Sequence, residues 1–173
     1  MKTLRELYGI KGAVISAVDL LYGIGAYAGM TPIKVEGSTG LYDTNYEGKA
    51  LAAVNALDDH DLVYLHIEAS DEAGHEGDVD LKIRTIESLD QRVVKFISER
   101  CLQLPDPVAI ALLPDHPTPC EIRTHVHDPV PFMIHHPGIP GDGLQEYDEE
   151  SVLRGSFGLL KGDEFIRALL QRR

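Results

Sequence analysis

Residues 61–78 read DLVYLHIEASDEAGHEGD. The first eight, Asp61 to Glu68, are mostly apolar with β-branched and aromatic members, as a buried strand requires. The polar run ASDEAGHEGD follows and reads as a loop, in which Asp71 and His75 lie four residues apart. Asp78 then opens a long helix to about Arg100. Val79, Ile83, Ile86, Val93 and Ile97 return every three or four residues to one face of it. A strand, a loop bearing reactive groups and a helix, in that order, form the repeating unit of an α/β fold.

Working outward, the same alternation recurs. GAVISAV (12–18) reads as a buried strand, with Asp19 placed to cap a helix from Leu20 to Gly29. Ile33 to Glu36 reads as a short strand, GSTGLYDTNYEG (37–48) as a turn-rich loop, and Gly48 to Leu57 as a helix. PVAIALL (107–113) reads as another buried strand that runs straight into PDHPTP, and Val130 to Ile134 as a last core strand. A loop-rich stretch from Gly138 to Gly158 precedes a closing helix, Asp163 to Gln171. The pattern predicts an α/β protein with a mostly parallel sheet and helices on both faces. There is no internal repeat, low-complexity tract or linker.

The chain has 173 residues, with 16 Lys and Arg against 28 Asp and Glu, a formal net charge of −12. At roughly 150 residues per domain this length predicts a single domain. The acidity argues against a nucleic-acid binder, because phosphate affinity comes from clustered Lys and Arg. It argues equally against docking on anionic membranes. Cys101 and Cys120 are too few for a disulfide framework and form no CxxC pair, which fits a reducing, cytoplasmic setting. The N-terminus lacks an apolar signal core, and no run reaches the roughly 18 apolar residues of a membrane span.

In open α/β sheets, functional groups gather beyond the carboxyl ends of the strands. Three polar clusters are expected there. They are Asp71 with His75, Asp115 with His116, and a pair of histidines, His125 and His127, before the PVPFMI strand. Carboxylate oxygen with imidazole nitrogen suits Zn²⁺, Mn²⁺ or Fe²⁺, and carboxylate-rich sites also take Mg²⁺. Two such metals would clamp a phosphoryl group. On spacing alone His125 and His127 compete for one role.

The remaining candidates have plainer readings. His66 reads as a strand histidine, His60 as solvated, and His135 and His136 as surface residues. Glu72 and Glu76 flank the ligands without joining them. GSTGLYD lacks the Walker pattern, and Gly23 with Gly25 lacks the third glycine of a dinucleotide fingerprint. Ser38 and Ser70 sit in no nucleophile elbow, so the chain offers ligands without a nucleophile.

The blocks VISAVDLLYGIGAYAGM, STGLYDTNYEGKA, YLHIEASDEAGHEGD, LLPDHPTP and HVHDPVPFMI occur in this order. Together they resemble the 2,3-bisphosphoglycerate-independent phosphoglycerate mutase family, in its archaeal-type branch within the alkaline phosphatase superfamily. The resemblance covers nearly the whole chain. It implies the C-terminal half of a phosphatase-like domain, so that residues 1–173 form a single partial domain. The segment with the Ser nucleophile and the inserted domain would both be absent. By resemblance Asp71, His75 and His125 bind one divalent metal, and Asp115 and His116 contribute to a second. His125 is preferred to His127 because it opens the family's His-x-x-(Asp/Asn)-Pro-Val-Pro run. Pro117 stands where members commonly have Ser, and Ser70 where Pro often stands; neither removes a ligand, though Pro117 bears on the second metal.

The implied function is the metal-binding half of an enzyme that interconverts 3- and 2-phosphoglycerate through a phosphoserine, with no activity in this chain alone. The implied cofactors are two divalent ions, Mn, Mg, Zn or Co, with no organic cofactor. The implied partners are phosphoglycerate and the missing N-terminal half, with neither nucleic acid nor membrane. Two further readings use the same ligands. One is a metal-dependent phosphatase or phosphotransferase of the same superfamily. The other is a non-enzymatic metal-binding module, which would cover its exposed sheet edge by forming a homodimer.

Overall fold

A computed structural model describes residues 2–171. Among them the chain forms two compact units. One runs through Gln103 and takes in Thr118–Thr124; the other comprises Leu104–Pro117 and the chain from His125 onward.

The first unit is built on a three-stranded parallel sheet in the order β2-β1-β3. Its strands are β1 (Gly12–Ile15), β2 (Thr31–Pro32) and β3 (Leu62–Leu65). All four residues of β1 are buried, as a central strand in a covered sheet must be. Val14 pairs with Tyr64 and Ile15 with Leu65. Side chains alternate along a strand, so neighbouring residues serve opposite faces. Val14 packs against Gly25 of α2 (Asp19–Tyr27), where an added Cβ would collide with the valine. On the other face Leu65 packs with Tyr46 and Ala50 of α3 (Tyr46–Ala56). Val93, Leu89, Phe96 and Ile97 of the long helical run complete that core. The α/β class and the parallel sheet flanked by helices are therefore as the pattern predicts.

Four local expectations are corrected. The polar run after β3 is not a loop but helix α4 (Ala69–Glu76). Its buried face is made of Ala69, Ala73 and Gly74, too small to register as an apolar stripe. Asp71 and Glu72 complement its positive N-terminal end, and Gly77, at φ 73°, supplies the left-handed stop. Asp19 is the first residue of α2 rather than its cap; the cap position is Val18. The short strand lies at Thr31–Pro32, beside Ala13 and Val14 of β1; the Ile33 amide still reaches the Val14 carbonyl at 2.9 Å, and the Ile33 carbonyl accepts from the Tyr22 hydroxyl at 3.0 Å. The fourth correction concerns the last two strands, in the second unit.

The long helix begins where Asp78 caps it, through its side chain and the Leu81 amide at 2.8 Å. It runs as α5 (Val79–Leu89), a π-helical turn (Asp90–Val94) and α6 (Lys95–Cys101). A short N-terminal helix, α1 (Leu4–Tyr8), is closed by a capping box between Thr3 and Glu6.

In the second unit β4 (Ile110–Leu112) and β5 (Met133–His135) pair antiparallel, with Ile110 opposite His135. They are half-buried or exposed and form a two-stranded sheet of their own, not extra strands of the parallel one. Tyr147 ties their ends together, its hydroxyl donating to the Pro131 carbonyl at 3.0 Å. Phe132 packs against Phe157 and Phe165, with ring centroids 5.6 and 5.4 Å away. Helix α7 (Glu164–Leu169) closes the unit, and His136 Nε2 lies 3.3 Å from the Ala168 carbonyl. That contact makes His136 an anchor for α7 instead of a plain surface residue. Among the described residues no helix is long and apolar enough to cross a membrane.

Candidate metal centre

Because α4 is helical, the four-residue spacing of Asp71 and His75 places both on one face, one turn apart. His75 Nε2 lies 3.4 Å from Asp71 Oδ2. The other ring nitrogen, Nδ1, lies 3.0 Å from the Arg123 carbonyl. A carbonyl only accepts, so Nδ1 carries the proton and Nε2 presents its lone pair toward the carboxylate. One nitrogen and one carboxylate oxygen are thus presented side by side. Two ligands held at about 2.0–2.1 Å from a tetrahedral ion are separated by about 3.3 Å, so the observed spacing fits one small divalent ion.

Both ligand groups are braced from behind by residues 118–124. Thr118, 3 % exposed, donates its hydroxyl proton to Asp71 Oδ1, so that Oδ2 is the oxygen beside His75. Lys82 of α5 holds the Thr118 carbonyl at 2.6 Å. Arg123 adopts a positive φ of 60°, rare outside glycine, and it is the Arg123 carbonyl that takes the His75 Nδ1 proton. Orientation of this kind by a carbonyl behind a histidine and a hydroxyl behind a carboxylate is what metal sites use to set ligand direction.

In the second unit His116 and His125 bring their rings to 3.7 Å between centroids. Asp115 accepts from the His116 amide at 3.1 Å, and its other oxygen lies 3.5 Å from His116 Nε2. His127 is exposed. Asp71, His75 and His125 each offer one ligand atom, an aspartate oxygen and two imidazole nitrogens. Glu72 and Glu76 lie on α4 beside the pair, Glu72 half-buried and Glu76 exposed.

A second polar group, which the sequence reading did not find, sits at the carboxyl ends of β1 and β3. Glu68, 6 % exposed, accepts from the Ser16 hydroxyl at 2.9 Å and from the Ala17 amide at 3.2 Å. His66 Nδ1 lies 3.1 Å from the same carboxylate. Lys49, fully buried, donates to Glu68 Oε2 at 3.1 Å and to the His66 carbonyl at 3.3 Å. Burial alone would raise the Glu68 pKa. The His66 hydrogen bond, the Lys49 charge and the bonds from Ser16 and Ala17 overcome that and hold it at about 2. His66 thus serves a carboxylate at the strand end. No spacing links positions 16, 49, 66 and 68, so only folding reveals the group.

Two other motifs resolve into structure. The STGLYDT loop is braced by itself: the Thr39 amide donates to the Thr44 hydroxyl at 3.0 Å and the Thr39 hydroxyl to Asp43 at 2.7 Å. His60 is half-buried rather than solvated, with Nδ1 3.0 Å from the Ala56 carbonyl at the end of α3.

A parallel α/β sheet with an oriented Asp-His pair on the helix after the edge strand β3 defines an α/β protein with a candidate metal site. The chain belongs to the Metalloenzyme superfamily, which it matches over residues 1–169. It is 52 % identical over 167 residues to a 2,3-bisphosphoglycerate-independent phosphoglycerate mutase of Methanosarcina mazei, covering 96 % of this chain and 42 % of that protein. With the mutase of Methanothrix thermoacetophila the identity is 52 % over 170 residues, 98 % of this chain and 43 % of the relative. A solved structure of a Pyrococcus horikoshii protein superposes with a TM-score of 0.89 at 33 % identity, over 98 % of this chain and 51 % of that one. The cofactor-independent phosphoglycerate mutase of Thermoplasma acidophilum superposes at 0.72 with 25 % identity, over 99 % of this chain and 39 % of its own. The chain thus spans about two-fifths of the length of the mutases it matches.

Proposed function

We propose that this chain is the metal-binding part of a cofactor-independent phosphoglycerate mutase, with Asp71, His75 and His125 as ligands of one divalent ion. Asp115 and His116 are the ligands it contributes to a second. The observation that carries this reading is the Asp71–His75 pair, 3.4 Å apart, with His75 Nδ1 held by the Arg123 carbonyl. The chain that orients His75 continues from Arg123 to His125 within two residues. The superfamily match and the identity to named mutases support the choice of chemistry.

The ions, when bound, would act as Lewis acids that neutralise charge on a transferring phosphoryl group and lower the pKa of an attacking hydroxyl. The chain's own contribution is to hold their ligands in one orientation. Arg123 keeps the proton on His75 Nδ1, and Thr118 turns one Asp71 oxygen away. Phosphoglycerate, a serine nucleophile and the groups that recognise the glycerate belong on this reading to the rest of the enzyme. Manganese or zinc suits the mixed oxygen and nitrogen donors. Cys101 and Cys120, both free thiols, fit a cytoplasmic enzyme.

Calorimetric titration of the chain with Mn²⁺ and Zn²⁺, alongside His75→Ala, tests the site. Saturable binding that is lost or weakened at least tenfold in His75→Ala is expected. Identical isotherms for the two proteins would overturn the assignment.

A further inference from the structure

Thr118 has a place in the fold that packing alone does not require. It is 3 % exposed, its hydroxyl is directed at Asp71 Oδ1, and its carbonyl is clamped by Lys82 Nζ at 2.6 Å. The carbonyl also fills the space where a side chain at Gly74 would stand, so the α4 backbone and residue 118 are in direct contact. Three constraints from two helices therefore hold one hydroxyl against one carboxylate oxygen.

We infer that Thr118 is a positioning residue that makes Asp71 a one-oxygen ligand and so selects small divalent ions over Ca²⁺. The inference rests on the metal-site reading above and adds to it a determinant of which ion binds. A carboxylate can coordinate through one oxygen or both. Ca²⁺ collects six to eight oxygens and readily takes both, at about 2.3–2.6 Å. Zn²⁺ and similar ions take four ligands at about 2.0–2.2 Å and need only one. With Oδ1 engaged as acceptor of the Thr118 proton, a second coordinate bond from Asp71 would have to share that oxygen with a buried hydrogen bond that fixes its direction and draws off its electron density. The cost of that competition falls on Ca²⁺, which gains from both oxygens, and spares the smaller ion, which needs only Oδ2. His75 reinforces the choice, because imidazole nitrogen suits transition metals and not hard cations.

The discriminating variants are Thr118→Val, which keeps the shape and removes the hydroxyl, and Thr118→Ser, which restores it. Co²⁺ is bound to the chain and followed by its visible absorption, and the Ca²⁺ concentration that displaces half of it is measured. Thr118→Val is expected to bind Co²⁺ about 10–100-fold more weakly. It should also release Co²⁺ at a Ca²⁺ to Co²⁺ ratio at least tenfold lower than wild type, while Thr118→Ser stays near wild type. An unchanged ratio in Thr118→Val, or a Thr118→Ser that behaves like Thr118→Val, would overturn the inference even if Co²⁺ affinity falls, since loosened packing weakens both ions alike. His75→Ala runs beside them. If wild type binds Co²⁺ no better than His75→Ala, the metal-site reading fails and this inference with it. If His75→Ala loses the ion and Thr118→Val keeps the wild-type ratio, only the role of Thr118 fails.

Discussion

Glu68 carries a buried negative charge whose partners come from three directions: Lys49 on α3, Ser16 and Ala17 after β1, and His66 after β3. A buried ion pair is worth little against an apolar substitute, but removing one partner strands the other. Glu68→Gln leaves the fully buried Lys49 ammonium without its counter-charge, and a loss of about 3–5 kcal/mol in urea unfolding at pH 7 is expected. The pH dependence has a definite sign. The folded carboxyl titrates at about 2, below the ordinary 4.5, so its stabilisation is complete above 4.5 and disappears as pH falls from there through about 2. Wild type should lose about 3 kcal/mol from this group over that window. Glu68→Gln should lack that component, and parallel curves for the two proteins between pH 5 and pH 2 would refute the assignment. At the same scale Asp71 and His75 were visible as metal-ligand types, whereas Thr118 and Arg123 were not. A threonine hydroxyl and a backbone carbonyl carry no sequence signature of what they face, and Thr118 lies 47 positions from Asp71.

Helix α4 decides how the pair at 71 and 75 is presented. As a loop the two side chains would have no common direction; as a helix they share a face. Its small buried residues allow the close approach of Thr118. Gly74→Ala would drive a methyl into the Thr118 carbonyl and the Lys82 ammonium. A destabilisation of about 1–3 kcal/mol is expected from such overpacking. Metal affinity should fall with it, because the displaced segment braces Asp71; thermal melting with and without Mn²⁺ reads both effects. The long helix was legible from its periodicity and its Asp78 cap. Its π turn was not, since the apolar spacing runs through it unbroken. It carries Arg92 to α3, where the guanidinium bonds both Glu47 oxygens at 2.6 and 2.8 Å and lies 4.4 Å over the Tyr46 ring. The capping box at Thr3 and Glu6 is, by contrast, a local signal readable from TLRE.

At the scale of the whole molecule, the chain corresponds to 42 % and 43 % of the length of the two methanogen mutases. On the proposed reading it holds metal ligands while the nucleophile lies in the complementary portion. The purified chain should therefore show no conversion of 3-phosphoglycerate in a coupled enolase assay at saturating Mn²⁺. Measurable turnover by the chain alone would refute that division of labour. Its charge of −12 also takes on a narrower meaning, because Glu68 is consumed by a buried network and Asp71 accepts from the Thr118 hydroxyl, while most of the other acidic side chains lie at the surface. The alternation of the main strands and helices, the parallel character of the first unit's sheet and the metal-binding residue types were determined by the sequence itself, because hydrophobic period and residue chemistry are local properties. The helical state of 69–76, the separate antiparallel pair and the direction of each ligand oxygen and nitrogen were decided only by the tertiary structure. Those depend on which backbone carbonyl, hydroxyl or methyl-sized gap arrives from distant positions, and no local pattern encodes that arrival.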